Sequence, residues 1–249
     1  MDVPENKMTV RAVERALDIL LCFLDRKDLT LTEISKMVSL NKSTVYRLLS
    51  SLEGKGFLIR NQETEKYRLG FRIWELSANL NRDHDPSVLL LPELVRLRDL
   101  VGETISLYVR DGMERVRIQA VESTESIRRV APVGIRLPLS VGASSKILVA
   151  YGETTVVDQV LNDSGWPEGI AKPFYRQQIA EIKEKGFATS IEERETGTAA
   201  VSVPLFSRDK QLLMALSVSG PSNRLTIEKM KENLPIIRKA AQRMETMLP

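Results

Sequence analysis

Two helix-start signals only eleven residues apart constrain this chain more than any other feature. In Thr30-Leu31-Thr32-Glu33 the first hydroxyl can accept from an early backbone N–H while Glu33 reaches back, which is a capping box. Asn41 is a good N-cap for the next helix, and the Ser39-Leu40 step before it leaves room only for a tight turn. The spacing predicts one helix from Thr30 to about Val38 and another from Lys42 to about Gly54, with Val45, Leu48, Leu49 and Leu52 on the buried side. Ahead of them, Val10 to Leu24 reads as an amphipathic helix with a buried stripe of Val13, Ala16, Leu17, Leu20, Leu21 and Leu24. Short helices joined by a tight turn form a helix-turn-helix.

The helix after the turn has the composition of a major-groove reader. Asn41, Lys42, Ser43, Thr44, Tyr46 and Arg47 cluster in its first turns, the part of a recognition helix that meets base edges, and Thr32 stands on the helix before it. The same polar residues also suit a plain solvated face. Behind them, Phe57 to Arg60 and Tyr67 to Gly70 flank a polar turn and predict a β-hairpin, the wing of a winged helix-turn-helix. Arg60, Lys66 and Arg68 would track phosphates there, while Glu63 and Glu65 oppose deep minor-groove insertion. Charge agrees: residues 1 to 82 hold 14 Lys and Arg against 11 Asp and Glu, whereas residues 83 to 249 hold 22 of each.

Phe71 to Arg82 distributes Phe71, Ile73, Trp74, Leu76, Ala78 and Leu80 around most of a helix. Such a helix needs partners on most sides, either its own domain and a second subunit or the two domains of one chain. A two-fold dimer would present two recognition helices to a palindromic double-stranded DNA operator. The polar Asp83-His84-Asp85-Pro86 segment sets the boundary, and solvation explains its His and Asp better than metal binding does. The organisation is therefore a DNA-binding domain over 1–70, a linker helix and connector over 71–85, and a second domain over 86–249. One Cys and one His supply no zinc site and no internal disulfide, and nothing resembles a signal peptide or membrane span. The expectation is a cytoplasmic protein without metal or cofactor.

The second domain mixes helices and strands as an α+β fold. Helices are predicted over Val88 to Leu100, Ile147 to Tyr151 and Thr226 to Met247, the last kinked or split at Pro235. Strands are predicted over Thr104 to Arg110, Arg115 to Val121, Ile127 to Val130, Thr198 to Leu205 and Leu212 to Ser219. Alternation in the last two leaves one bulky face, including Val201, Val203, Leu212, Met214 and Leu216, and one small face of Thr198, Ala200, Ser202, Leu213, Ala215, Ser217 and Ser219. A small, hydroxyl-bearing face can line a ligand cavity, or it can meet solvent or another element. Gly142 to Lys146 enters a helix and suits either an anion at its N-terminus or ordinary tight packing; it lacks the pattern of a nucleotide loop.

The chain resembles the IclR-type (isocitrate lyase regulator) transcription regulators. The likeness is carried by Val13 to Leu20, Leu31 to Ser35, Ser43 to Leu52, Gly54 to Phe57 and Tyr67 to Gly70, then by Pro138 to Ser140, Gly142 to Lys146, Gly186 to Ala188, Glu192-Glu193, Gly197 and Leu216 to Pro221. It implies a GAF-like effector domain that senses a small organic acid, a homodimer or dimer of dimers, and repression or activation of a metabolic operon. Carried over by position, the effector pocket would include Ala143, Ser144, Ser190, Thr198, Ala200, Ser217 and Ser219. Catalysis is not expected. His84 and Cys22 offer no nucleophile pair in the second domain, and Glu192-Glu193 reads as a solvated pair in a polar loop. A DNA-binding adaptor whose second domain only oligomerises is the remaining alternative.

Overall fold

The computed structural model describes residues 9–24, 26–80, 86–130 and 132–248. The chain divides into two compact units, Met1–Asp83 and His84–Pro249. Asn81 to Asp85, with the polar boundary segment, and the side chains of Ala78 and Leu80 lie outside the described residues.

In the first unit, α1 (Arg11–Leu21), α2 (Leu31–Met37) and α3 (Lys42–Gly54) precede the hairpin β1 (Leu58–Arg60) and β2 (Tyr67–Leu69), then α4 (Phe71–Leu80). Both halves of the capping box form: Glu33 N–H donates to the Thr30 hydroxyl at 3.3 Å, and Thr30 N–H donates to the Glu33 carboxylate at 2.8 Å. Asn41 caps α3 by accepting from Thr44 N–H at 2.8 Å. Ser39 takes a left-handed φ of 52° to fit the two-residue turn. Leu29 bridges to Tyr67, so the wing is tied to the segment before α2. Ile19, Phe23, Leu29, Ile34, Val45, Leu49, Leu58 and Tyr67 form the core.

The stripe expected to be buried on α1 is not. Val13, Leu17, Leu21 and Leu24 are each more than half exposed, and Ile19, Cys22 and Phe23 fill the core instead. The helix is apolar on two sides, and a domain of this size can bury only one of them. On α4, Phe71, Trp74 and Leu76 are exposed too.

The second unit is an antiparallel six-stranded sheet in the order β5-β4-β3-β8-β7-β6. Its strands are β3 (Thr104–Asp111), β4 (Glu114–Val121), β5 (Arg136–Pro138), β6 (Ala188–Ile191), β7 (Thr198–Phe206) and β8 (Leu212–Pro221). On one face, α6 (Leu91–Val101) and α10 (Ile227–Met247) pack on Ile105, Val201, Val203, Leu205, Leu216 and Val218. On the other, α7 (Ala143–Ala150), α8 (Thr154–Leu161) and α9 (Lys172–Lys185) pack near Tyr108, Ala188 and Ala215.

Several expectations need correction. Pro92 cannot continue a helix from below, so Val88 to Leu100 is divided into α5 (Pro86–Leu89) and α6. Ile127 to Val130 is not a strand; within it Arg129 O accepts from the Thr104 hydroxyl at 2.8 Å. Residues 154 to 191 hold α8, α9 and β6, which periodicity did not reveal. Pro235 does not split α10; it sits on the exposed side, where the carbonyl it frees can meet water. A register shift at Leu205/Phe206 exchanges two side chains, so that Leu213 joins the bulky-face core and Leu212 the other.

Candidate functional site

Local capping sets the reading surface of the first unit. The Asn41 side chain holds both Thr44 N–H and the Ser43 hydroxyl, which fixes the first turn of α3. Lys42, Ser43, Tyr46 and Arg47 project from α3 and are exposed, Thr44 is half-buried, and Thr32 is exposed on α2. Neither Lys42 nor Arg47 is in an ion pair among the described residues, so both charges are available to an anionic partner. In the wing, Lys66 and Arg68 are exposed. Arg60 differs: its guanidinium pairs with Glu65 at 2.7 Å and lies 5.8 Å from the Tyr67 ring. A phosphate contact by Arg60 would have to displace that carboxylate.

The second site lies on the α7 side of the sheet. Strand pairing places Ser106 beside Ser217 and Ser217 beside Ser202, a row of hydroxyls across three strands. The Ser106 and Ser202 hydroxyls are buried without a partner. Small side chains here leave a cleft of about 60 Å³ beside α7. All seven residues carried over by position, Ala143, Ser144, Ser190, Thr198, Ala200, Ser217 and Ser219, line it.

The sequence reading missed the charged half of this cleft. Arg115 and Arg117 line it at 5% and 2% exposure, with Arg129 and Arg194 at its edge. The two inner guanidiniums lie 5.2 and 5.0 Å from the Tyr108 ring centre, a cation on aromatic contact. Arg117 Nε donates to the Tyr108 hydroxyl at 2.9 Å; Arg115 donates to Val141 O at 3.0 Å and to the Ser145 hydroxyl at 2.6 Å. Burial, with Arg117 nearby, lowers the Arg115 pKa to about 10, leaving it charged at neutral pH. Gly142 makes room for this group. Its φ is +96°, and a Cβ there would lie 2.7 Å from Arg115 Nη1.

At the start of α7, where an anion or tight packing were the two readings of Gly142 to Lys146, the N–H of the N-cap Gly142 is taken by a carboxylate of the chain itself. Glu193 accepts from Gly142 N–H at 2.9 Å and pairs with Lys146 Nζ, whose side chain is 4% exposed. Glu193 is therefore not the solvated carboxylate expected of a polar loop. Its neighbour Glu192 takes a φ of 55° and accepts from the Ser222 hydroxyl at 2.8 Å, so the pair points apart.

The sequence of this chain matches the bacterial transcriptional regulator IclR C-terminal model over residues 87–246 and the IclR helix-turn-helix model over residues 12–62. The chain belongs to the IclR family. Among curated IclR-like relatives, the HTH-type transcriptional regulator KdgR of Escherichia coli is 27% identical over 252 residues, covering 99% of this chain and 96% of that protein. XynR of the same organism is 31% identical over 222 residues, covering 87% and 88%. The crystal structure of an IclR homolog complexed with 4-hydroxybenzoate from Microbacterium hydrocarbonoxydans superposes with a TM-score of 0.83 at 25% identity, covering 95% of this chain and 98% of that one. The Thermotoga maritima IclR structure gives 0.74, also at 25% identity and with the same coverage.

This IclR-family chain is thus a helix-turn-helix transcription regulator with a C-terminal ligand-binding domain, and its relatives are regulators, not enzymes. No helix among the described residues is long and apolar enough to cross a membrane.

Proposed function

We propose that the chain works as a homodimer that binds a palindromic operator of a metabolic operon in the cytoplasm and is controlled by a small organic acid in the cleft beside α7. The observation that carries this reading is the cleft itself, where hydroxyls of Ser144, Ser190, Thr198, Ser217 and Ser219 face buried guanidiniums across small side chains. Orienting hydroxyls beside buried cations suit an oxygen-rich acid. The acid bound by the Microbacterium homolog supports the same ligand class.

In this reading α3 enters the major groove, with Lys42, Ser43, Thr44, Tyr46 and Arg47 toward the bases and Asn41 and Thr32 near the backbone. Lys66 and Arg68 of the wing contact phosphates, joined by Arg60 once Glu65 is displaced. The exposed apolar faces of α1 and α4 supply the dimer contact, since patches of this kind mark protein–protein surfaces. Ligand binding then changes operator affinity by favouring one arrangement of the dimer.

The test is a bandshift titration with the full chain on an operator obtained by in vitro selection, repeated with a panel of organic acids. An acid should shift operator affinity in the parent, and Ser217→Leu, which fills the cleft, should remove that response while leaving ligand-free DNA binding unchanged. An equal response in Ser217→Leu sinks the assignment of the cleft.

A further inference from the structure

We propose, resting on the reading of this cleft as the effector site, that its ligand is a compact dianion: a small molecule with two acidic groups a few bonds apart. Arg115 and Arg117 lie side by side on the sheet face, and neither has a carboxylate within ion-pair distance among the described residues. Arg115 Nε and Arg117 Nη1 are buried and have no hydrogen-bond partner. What they do contact is neutral: the Tyr108 hydroxyl and ring, the Val141 carbonyl and the Ser145 hydroxyl. Buried charges in proteins are normally paired, so two unpaired guanidiniums facing one cleft indicate a counter-charge that arrives from outside.

The count of charges sets the number of acidic groups. Around the cleft stand five cations, Arg115, Arg117, Arg129, Arg194 and Lys146, against two carboxylates. Glu193 is committed to Lys146 and Glu195 is shared by Arg129 and Arg194. The excess is three, two of it on the buried pair. A monocarboxylate can bridge the two guanidiniums, as Glu195 bridges Arg129 and Arg194, but leaves one unit of the buried charge uncompensated, whereas a dianion neutralises both with charge-assisted hydrogen bonds. The cleft's volume of about 60 Å³ admits a chain of a few carbons and no large ring. A dicarboxylate and a phosphorylated small acid share this chemistry.

Isothermal titration of the full chain with matched probes decides the matter: succinate and malonate as dianions beside butyrate and propionate as monoanions, and phosphoglycolate, whose carboxylate and phosphate together carry about −2.5 to −3 at neutral pH, beside glycolate. At least one dianion should bind at least about tenfold more tightly than its monoanionic counterpart, and the phosphoglycolate arm tells a phosphate from a second carboxylate. Hydrogen bonds to charged groups translate into roughly 10- to 150-fold in affinity. Arg117→Met should lose that factor for the dianion and much less for the monoanion, and Arg117→Lys should recover part of it. Arg117→Met replaces a buried charge by an apolar chain of similar size, so it should fold, as an unchanged circular dichroism spectrum would confirm. Monoanions that bind as well as dianions, or dianion binding untouched by Arg117→Met, would overturn the inference while leaving the effector site in place. Acid binding that Ser217→Leu does not disturb would instead overturn the reading of the cleft on which the inference rests.

Discussion

Replacing Glu193 by Gln should destabilise the second unit by about 3 kcal/mol. The Glu193 side chain retains 19% exposure and the Lys146 side chain 4%, so the ammonium is the buried member of the pair. A glutamine keeps one of the two oxygens that accept from Gly142 N–H and Lys146, and its NH2 group would face the other donor; Lys146 also donates to Thr189 O at 3.1 Å. One accepted hydrogen bond goes together with the charge. Breaking a buried ion pair by neutralising one member costs about 3–5 kcal/mol, and the partial exposure of Glu193 favours the lower end. For a unit of this size each kcal/mol moves Tm by about 2–4 °C, giving a fall of about 6–12 °C. The assay is thermal and urea unfolding followed by fluorescence in a Trp74→Phe background, where the chain's other tryptophan, Trp166, reports on the second unit alone. Adding Lys146→Met to Glu193→Gln should restore most of the loss, because an apolar replacement removes the unpaired charge. A loss below about 0.5 kcal/mol for the single variant, or a double variant no better than the single, would refute the argument.

Arg47→Ala should cost about 1–3 kcal/mol of operator binding and relax sequence preference, as measured by anisotropy on operator and scrambled DNA. Lys66→Ala should weaken both DNAs alike and lower the salt slope by about one; an equal loss of specificity in both variants would contradict the division between α3 and the wing. Leu17→Glu or Trp74→Glu should convert the proposed dimer to a monomer by sedimentation velocity, with operator affinity falling by roughly 10²-fold or more as the second half-site is lost; a dimer that persists in both places the interface elsewhere. In the first unit, the Thr30 N–H and hydroxyl hold the Glu33 carboxyl below its ordinary value. Its contribution is therefore complete above the usual glutamate pKa of about 4.3 and is lost as pH falls through the lower folded value, so the acid unfolding of Glu33→Gln should lack that component.

Legibility followed the range of the interaction that decides each feature. The capping box at Thr30 and Glu33, the Asn41 cap and the hairpin pairing Leu58 with Leu69 depend on neighbours in sequence, and they could be read directly. The exposed α1 face could not: Val13 and Leu17 carry the same apolar signal whether the partner is their own core or another molecule. Arg115 and Arg117 were hidden for a different reason. Their strand alternates charged and apolar residues, which reads as a solvent-facing edge, and only the placement of α7 over that face buries them. A bulge between Leu107 and Tyr108 further breaks the parity, so that Val121 joins the α6 and α10 side while Arg117 pairs with Tyr108 on the other. Glu193 was hidden because its partners, Gly142 and Lys146, lie 51 and 47 residues away.

The two faces of the sheet therefore divide the work of the second unit. Val201, Val203, Leu216 and Val218 fill one side with α6 and α10 and supply a dense core. The opposite face gives up side-chain volume at Thr198, Ala200, Ser217 and Ser219 and takes on two guanidiniums that the protein itself does not neutralise. Both choices weaken the ligand-free fold, since small residues leave unfilled space and unpaired buried charge is costly. In the proposed reading that deficit makes the site responsive: a ligand that supplies the missing charge stabilises only the state that holds the arginines together, and by mass action it shifts the population toward that state. A hydrophobic replacement of Arg115 or Arg117 would make a better core and a poorer sensor.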